Sequence, residues 1–316
     1  MSPAELFGDY TIRVVALGAA LLGIISGVLG SFAVLRRQSL LGDALSHAAL
    51  PGICLGFLIA GTREIGAILA GALATGIVAA LVVLLLVRRS RLKTDAALGA
   101  VLGVSFAIGV VLLTHIQGTE NASQGGLDSF LFGQAAATLP GDLWIMGAIT
   151  AAAVALVAAF WKEAKLVTFD PGFAGSLGLP VVLVDVVLTV MIALAVVVGL
   201  QMVGVVLMAA MVIAPAAAAR QWARRLEGMV VLAAAIGAAC GVAGAVVSAL
   251  ARGLATGPLI VLAVSAVVFV SILVAPGRGV VWDAAVRARE RRRLQRRQML
   301  AMLAKAAGSG RAAPMP

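Results

Sequence analysis

Charged residues are scarce in this chain, and their scarcity excludes most classes of soluble protein. Only 12% of the 316 residues are Asp, Glu, Lys or Arg, whereas 62% are hydrophobic and the mean hydropathy is +1.10. A soluble globular domain carries roughly 25% charged residues, about twice this share. Long apolar runs dominate the sequence instead. The composition therefore predicts an all-α, polytopic membrane protein.

Cysteine and catalytic motifs are also sparse. Cys54 and Cys240 are the only two cysteines, and each lies inside an apolar run, as small buried hydrophobic residues do. Neither has a second cysteine nearby, as a sulfur-rich metal site would require. The chain contains no Gly-x-x-x-x-Gly-Lys-Ser/Thr loop, no Gly-x-Ser-x-Gly elbow and no His-Glu-x-x-His pair. We therefore expect a protein that is not an enzyme, in which any drive from ATP comes from another chain.

The net charge of +10 does not indicate a nucleic-acid partner, because the basic residues are not arranged for one. Nine of the 24 Lys and Arg residues lie at or after Arg287, and most of the others separate apolar runs. This pattern predicts a transmembrane domain over 1–280 and a basic cytoplasmic tail over 281–316, part helical and disordered at its end. The tail either lies on anionic lipid headgroups or is simply solvated.

Apolar runs long enough to cross a bilayer need about 18 residues or more. The run 179–219 holds 41 residues and one charge, so it is predicted to fold back as two spans around Gly199-Leu200-Gln201. This gives nine hydrophobic segments and about eight or nine transmembrane helices. The runs are 14–35, 38–62, 65–87, 96–114, 143–161, 179–219, 228–251 and 258–275.

The distribution of basic residues predicts the orientation. If Arg36 and Arg37 are cytoplasmic, alternation of the spans puts 21 Lys and Arg residues inside and only Arg13, Arg63 and Arg252 outside. Such an excess agrees with the positive-inside rule, and a wrong span count would have removed it. The N-terminus is predicted outside and the C-terminus in the cytoplasm.

Asp43 and His47 form the most informative pattern, because they are ionisable groups inside an apolar segment. Four residues are about one helical turn, so both side chains leave the same face. Pro51-Gly52 follows at once and predicts a break in this second helix, with carbonyls freed near His47. Together with the Ser46 hydroxyl, this ligand set suits Mn²⁺, Zn²⁺ or Fe²⁺ and lacks the thiolates that Cu(I) prefers. The alternative is that Asp43 and His47 simply interact with each other within the helix and have no role in metal binding.

The loop 166–180 predicts a short helix between two spans. Asp170-Pro171 is a helix-start signal and Gly178 is a plausible stop. Small residues between them would allow a partner to approach closely. The alternative is a simple elbow between two spans.

Several ordered stretches resemble the permease subunits of bacterial zinc/manganese/iron ABC importers. The resemblance covers residues 10–275, and the strings around 127–134 and 169–180 are more like the manganese/iron branch. The stretches are 30–52 (GSFAVLRRQSLLGDALSHAALPG), 93–99 (KTDAALG), 130–133 (FLFG), 203–208 (VGVVLM), 215–220 (PAAAAR) and 256–258 (TGP).

The resemblance implies a permease of the bacterial plasma membrane. Its partners would be cytoplasmic ABC ATPase subunits, an extracytoplasmic metal-binding protein and a second permease copy, as a homodimer or a paired heterodimer. Mn²⁺, Zn²⁺ or Fe²⁺ would be transported cargo, with no permanently bound cofactor. Asp43 and His47 match the metal pathway of the family. Its ATPase-coupling helix matches Asp170, Pro171, Gly172, Phe173, Ala174, Gly175, Ser176, Leu177 and Gly178.

One departure from the family concerns the remaining metal ligands. The only other histidine is His115, at the outer end of a span, so further ligands would have to be Ser46, Asp185, Gln201, carbonyls, water or groups across a dimer. The sequence is also compatible with two alternative functions. One is a permease for a metal chelate such as a siderophore, and the other is an ion-coupled carrier or channel that needs no ATPase.

Overall fold

The computed structural model describes residues 10–61, 64–118, 133, 140–250 and 254–276, and single positions or short stretches from 279 to 300. Among these residues every regular element is an α-helix. The helices are α1 (Tyr10–Leu35), α2 (Leu41–Ala60), α3 (Ile65–Arg89), α4 (Thr94–Gln117), α5 (Pro140–Ala159), α6 (Trp161–Phe169), α7 (Pro171–Ser176), α8 (Val181–Val203), α9 (Val205–Trp222), α10 (Leu226–Leu250) and α11 (Thr256–Val274).

Nine helices in the described part of the chain are long and apolar enough to cross a membrane, which confirms the predicted span count. The prediction that the run 179–219 holds two spans is also confirmed. The break itself lies at Gly204 and not at the predicted 199–201. Gly204 has φ +88°, a conformation that L side chains rarely adopt and that glycine adopts freely. The preceding Gly199-Leu200-Gln201 continues α8, because the Gly204 N–H bonds back to the Leu200 carbonyl at 3.0 Å.

The centre of the bundle is held by close contacts between α1 and α10. A Cβ atom on Gly23 would lie 2.2 Å from the Gly237 carbonyl, and one on Gly27 would lie 2.5 Å from the Ala233 carbonyl. Membrane helices associate by such close packing because lipid supplies no hydrophobic drive between them. Glycine at these positions therefore lets the two backbones touch.

The predicted break at Pro51-Gly52 is wrong, because α2 runs without interruption from Leu41 to Ala60 with Pro51 inside it. Proline in a helix removes one donor but need not end the helix when neighbouring helices hold it. Here the neighbour is α3. A Cβ atom on Gly52 would lie 2.2 Å from the Gly71 carbonyl, and one on Gly56 would lie 2.4 Å from the Ala67 carbonyl. Gly52 thus serves close helix packing.

One end of the bundle carries most of the described basic residues, and we call it the basic end. It is where α1, α3, α5, α9 and α11 finish and where α2, α4, α8 and α10 begin. The contacts between helices there include Lys165 Nζ donating to Glu227 Oε1 at 2.6 Å and Trp222 Nε1 donating to Ser271 Oγ at 3.0 Å. The prediction that arginine-rich connections share one face agrees with these contacts.

The predicted short helix after residue 170 is confirmed as α7, which lies at the basic end. Its first turn is capped by Asp170, whose carboxylate accepts a hydrogen bond from the Phe173 N–H at 2.9 Å. Gly178 follows with φ +79°. A further helix, α6, precedes α7 and was not predicted. The predicted tail over 281–316 lies mostly outside the described residues.

Candidate functional site

Asp43 and His47 lie together in the first two turns of α2, close to the basic end. His47 Nε2 is 3.4 Å from Asp43 Oδ1, and the two side chains are 18% and 35% exposed. This separation is longer than a good hydrogen bond, so the two side chains lie close together without a good hydrogen bond between them. His47 Nδ1 is buried with no hydrogen-bond partner. Both groups can therefore take an additional partner, as metal ligands must.

Phe106 on α4 is the aromatic neighbour of the pair. Its ring meets the His47 imidazole edge to face, with centroids 5.0 Å apart and planes at 79°. Such a contact contributes about 0.5–1.5 kcal/mol beyond the area that it buries. Phe106 is itself 43% exposed, so the aromatic neighbour is more exposed than either member of the pair. The contact joins α2 to α4, 59 residues apart, and no local sequence signal indicates it.

The other oxygen ligands considered on α2 have different environments. Ser46 is fully buried, and its hydroxyl donates to the Gly42 carbonyl at 2.7 Å within its own helix. The His47 carbonyl lacks the donor that residue 51 would normally supply, because proline has no N–H. That carbonyl is therefore the better backbone candidate. The Gln201 side chain lies outside the described residues.

Asp185 on α8 is engaged by two arginines. Arg36 in the α1–α2 turn donates to Asp185 Oδ1, and Arg88 near the end of α3 donates to Asp185 Oδ2 at 2.8 Å. Burial lowers the pKa of the Arg36 guanidinium from its ordinary value, and the Asp185 charge opposes that shift. With both carboxylate oxygens occupied, the geometry favours an ion-pair role for Asp185 over the ligand role.

The pair has no third ligand of the usual kinds among the described residues, which contain no group of three or more His, Cys, Asp or Glu that could hold a metal. A groove of about 540 Å³ runs along α2 beyond the pair, between α3 and α4, and its lining is almost entirely apolar. Its polar side chains are Thr75 and Ser105. One chain alone thus presents two side chains of the metal-ligating type and an apolar groove beside them.

Membrane-length helices packed through glycines, with an ionisable pair in one span, define a multi-pass membrane protein with a candidate functional site inside the membrane. The chain belongs to the ABC 3 transport family, whose sequence profile matches residues 8–275. It is 48% identical over 279 residues to the zinc transport system membrane protein TroC of Treponema pallidum, covering 88% of this chain and 94% of that protein. It is 47% identical over 286 residues to the manganese transport system membrane protein MntC of Bacillus subtilis, covering 90% of this chain but only 66% of that protein.

Solved structures share the fold. PsaBC from Streptococcus pneumoniae, in complex with Fab, is 31% identical, with a TM-score of 0.75 over 87% of this chain and 95% of the other. A transporter described as being of the metal-chelate type, in an inward-facing conformation, has a TM-score of 0.66 at 13% identity, over 86% and 89% of the two chains. The second likeness shows the fold alone.

Proposed function

We propose that this chain is the membrane-spanning permease subunit of an ATP-driven importer for a divalent transition metal, Mn²⁺, Zn²⁺ or Fe²⁺. The carrying observation is the Asp43 carboxylate and the His47 imidazole, 3.4 Å apart on one face of a membrane-spanning helix. Burying such groups costs several kcal/mol in most estimates, and they mark ion pathways in membrane proteins. The relatives named for manganese and zinc transport support the choice of cargo.

The chemistry of the pair suits a transit site for a metal ion better than a permanent binding site. A carboxylate oxygen and an imidazole nitrogen suit borderline divalent metals, and two protein ligands leave most of the coordination sphere to other groups. The His47 carbonyl, water and a second permease copy would complete it. Conduction requires a site that binds tightly enough to admit an ion and weakly enough to release it.

The remaining parts of the importer are assigned by the same proposal. Separate ATPase subunits hydrolyse ATP and engage α7 with its flanking residues 170–178 at the basic end, which faces the cytoplasm. The N-terminus is outside, where an extracytoplasmic binding protein delivers the metal. Residues 1–280 form the permease domain, and the tail 281–316 extends into the cytoplasm near the lipid surface.

Metal uptake into vesicles tests the proposal. The chain is purified with its ATPase and binding protein, and uptake of radioactive Mn²⁺ or Zn²⁺ is measured with and without ATP. The double variant with Asp43→Asn and His47→Ala should lose uptake, while the complex still assembles. His115→Ala is the matched control, since His115 is the other histidine and lies exposed at the far end of α4.

Three results would contradict the proposal. Normal uptake by the double variant would exclude Asp43 and His47 as the metal site. Uptake without ATP would favour the ion-coupled carrier. Competition in which a metal chelate displaces free metal would favour the chelate permease instead.

A further inference from the structure

We propose that Asp185 is a positioning residue that links the ATPase-facing helix α7 to the metal pair on α2. It does so through its ion pairs with Arg36 and Arg88, a cluster that we call the arginine clamp. The inference rests on the proposed function, because it assigns a route by which events at the ATPase reach Asp43 and His47.

The arginine clamp joins three segments that are distant in sequence. Arg36 lies in the turn between α1 and α2, Arg88 lies in the last turn of α3, and Asp185 lies in the second turn of α8. One carboxylate thus holds three segments at the basic end. The ion pair between Lys165 and Glu227 at the same end joins only two segments.

On one side, the clamp is tied closely to α7. Only residues 177–180 separate α7 from α8, and hydrogen bonds fold them onto the helix ends. The Gly178 N–H bonds to the Gly175 carbonyl at 3.0 Å, and the Leu179 N–H bonds to the Ala174 carbonyl at 3.2 Å. A displacement of α7 is therefore transmitted to the first turns of α8, where Asp185 lies.

On the other side, the clamp is tied closely to α2. The turn from Arg36 to Leu40 is held by the Gln38 N–H bonded to the Ala33 carbonyl at 2.9 Å and by the Leu41 N–H bonded to the Gln38 carbonyl at 3.1 Å. Arg37 in this turn has φ +56°, a left-handed conformation that few non-glycine residues adopt. These bonds and the left-handed residue fix the conformation of the turn, and we therefore expect it to move as a unit. Asp43 is the third residue of the helix that it starts.

The different exposure of the two arginines indicates which contact with Asp185 is stable and which one can break. The Arg36 side chain is only 9% exposed, so separating it from Asp185 would leave a buried, uncompensated charge. The Arg88 side chain is 35% exposed and can exchange Asp185 for water at little cost. We infer that Asp185 and Arg36 move together, while the contact with Arg88 opens and closes.

The ratio of ATP hydrolysed to metal imported tests the clamp in the complete complex in vesicles. Asp185→Asn should raise this ratio at least tenfold, because hydrolysis continues while the metal pair no longer follows it. Asp95→Asn is the matched control, a carboxylate exposed in the first turn of α4 at the same end, and should stay within twofold of wild type. A wild-type ratio in Asp185→Asn would overturn the proposal.

Two milder variants guard against a simple loss of folding. Asp185→Glu keeps the charge and should stay within about threefold of the wild-type ratio. Arg88→Gln removes only the more exposed contact and should give an intermediate ratio. If Asp185→Asn does not assemble, these two variants test the proposal instead. A wild-type ratio of ATP hydrolysed to metal imported in Arg88→Gln would overturn it. So would a ratio in Asp185→Glu that is as high as the ratio in Arg88→Gln.

A readout independent of cargo separates failure of the clamp from failure of the proposed function. Ser39→Cys places a thiol in the exposed α1–α2 turn, whereas the native thiols of Cys54 and Cys240 are buried. Trapping the ATPase with ATP and vanadate should change the maleimide labelling rate of this thiol at least threefold, and Asp185→Asn should abolish the change. An absent change in wild type, or an equal change in both, would overturn the clamp even if the complex imported no metal. Absent metal import with the expected labelling would overturn only the function.

Discussion

At the scale of single residues, the position of the His47 ring depends on a partner that is not a ligand. Phe106 on α4 contacts the imidazole edge to face, with the ring centroids 5.0 Å apart. Phe106→Leu should keep the apolar volume but remove the ring contact, worth about 0.5–1.5 kcal/mol. We expect KM for metal uptake to rise roughly two- to tenfold with little change in kcat.

Uptake kinetics in vesicles check this, with Ile108→Leu as control because Ile108 is an exposed apolar residue of the same helix. Phe106→Tyr keeps the ring and should retain the wild-type KM. A KM that does not respond to Phe106→Leu would show that the ring contact does not position the imidazole.

The residues of the site differ in how well the sequence predicts them. Asp43 and His47 are predictable because their spacing is local and helical periodicity fixes their relative direction. The partners of Asp185 are not, since Arg36 is 149 and Arg88 is 97 positions away in sequence. A charge in an apolar run predicts that a partner exists but not which one it is. The sequence therefore leaves Asp185 among the possible metal ligands, whereas the folded helices place it between two arginines.

At the scale of helices, α2 and α3 depend on direct backbone contact. A methyl group on Gly52 would overlap the Gly71 carbonyl, so Gly52→Ala should separate the helices and destabilise the protein by about 1–3 kcal/mol, a typical overpacking cost. Gly66→Ala is the matched control, because a Cβ atom there meets nothing within 4 Å. Thermal unfolding of the purified chain in detergent should show a lower Tm for Gly52→Ala only. Equal Tm values would mean that the interface has room to adjust.

The helix α7 has six residues, and its stability depends on its cap. Asp170→Ala removes the acceptor for the Phe173 N–H, and loss of such a cap costs about 0.5–2 kcal/mol. We expect weaker ATPase co-purification and slower uptake, with recovery in Asp170→Asn, which also caps helices well. Thr168→Ala is the control, since its hydroxyl bonds only within α6, to the Ala164 carbonyl at 2.6 Å. Unchanged ATPase binding by Asp170→Ala would contradict a docking role for α7.

Helix boundaries show where sequence reasoning stops at this scale. Spans follow from length and hydropathy, so all nine were predictable. The break inside 179–219 depends on which of two glycines, Gly199 or Gly204, takes the left-handed conformation, and composition alone favours neither. Local sequence rules also predict a helix break at Pro51. The helix continues there because the close contacts of Gly52 with α3 preserve it.

At the scale of the whole molecule, orientation decides whether the proposed parts can work together. The basic end carries the arginine clamp, and α7 is there because it lies between the end of α5 and the start of α8. Lys and Arg flanking membrane spans remain preferentially in the cytoplasm during insertion. The same end must face the ATPase if α7 is the docking helix. Charge and function therefore require the same orientation.

Thiol labelling from one side of the membrane tests that orientation. Ser39 lies in the α1–α2 turn at the basic end, and Glu64 lies between α2 and α3 at the opposite end; both are exposed. In intact cells, a membrane-impermeant maleimide should label Glu64→Cys and leave Ser39→Cys unlabelled, and inside-out vesicles should reverse the result. Because Cys54 and Cys240 are buried, the unsubstituted chain gives the background. Labelling of Ser39→Cys in intact cells would place α7 outside, where no ATPase could reach it.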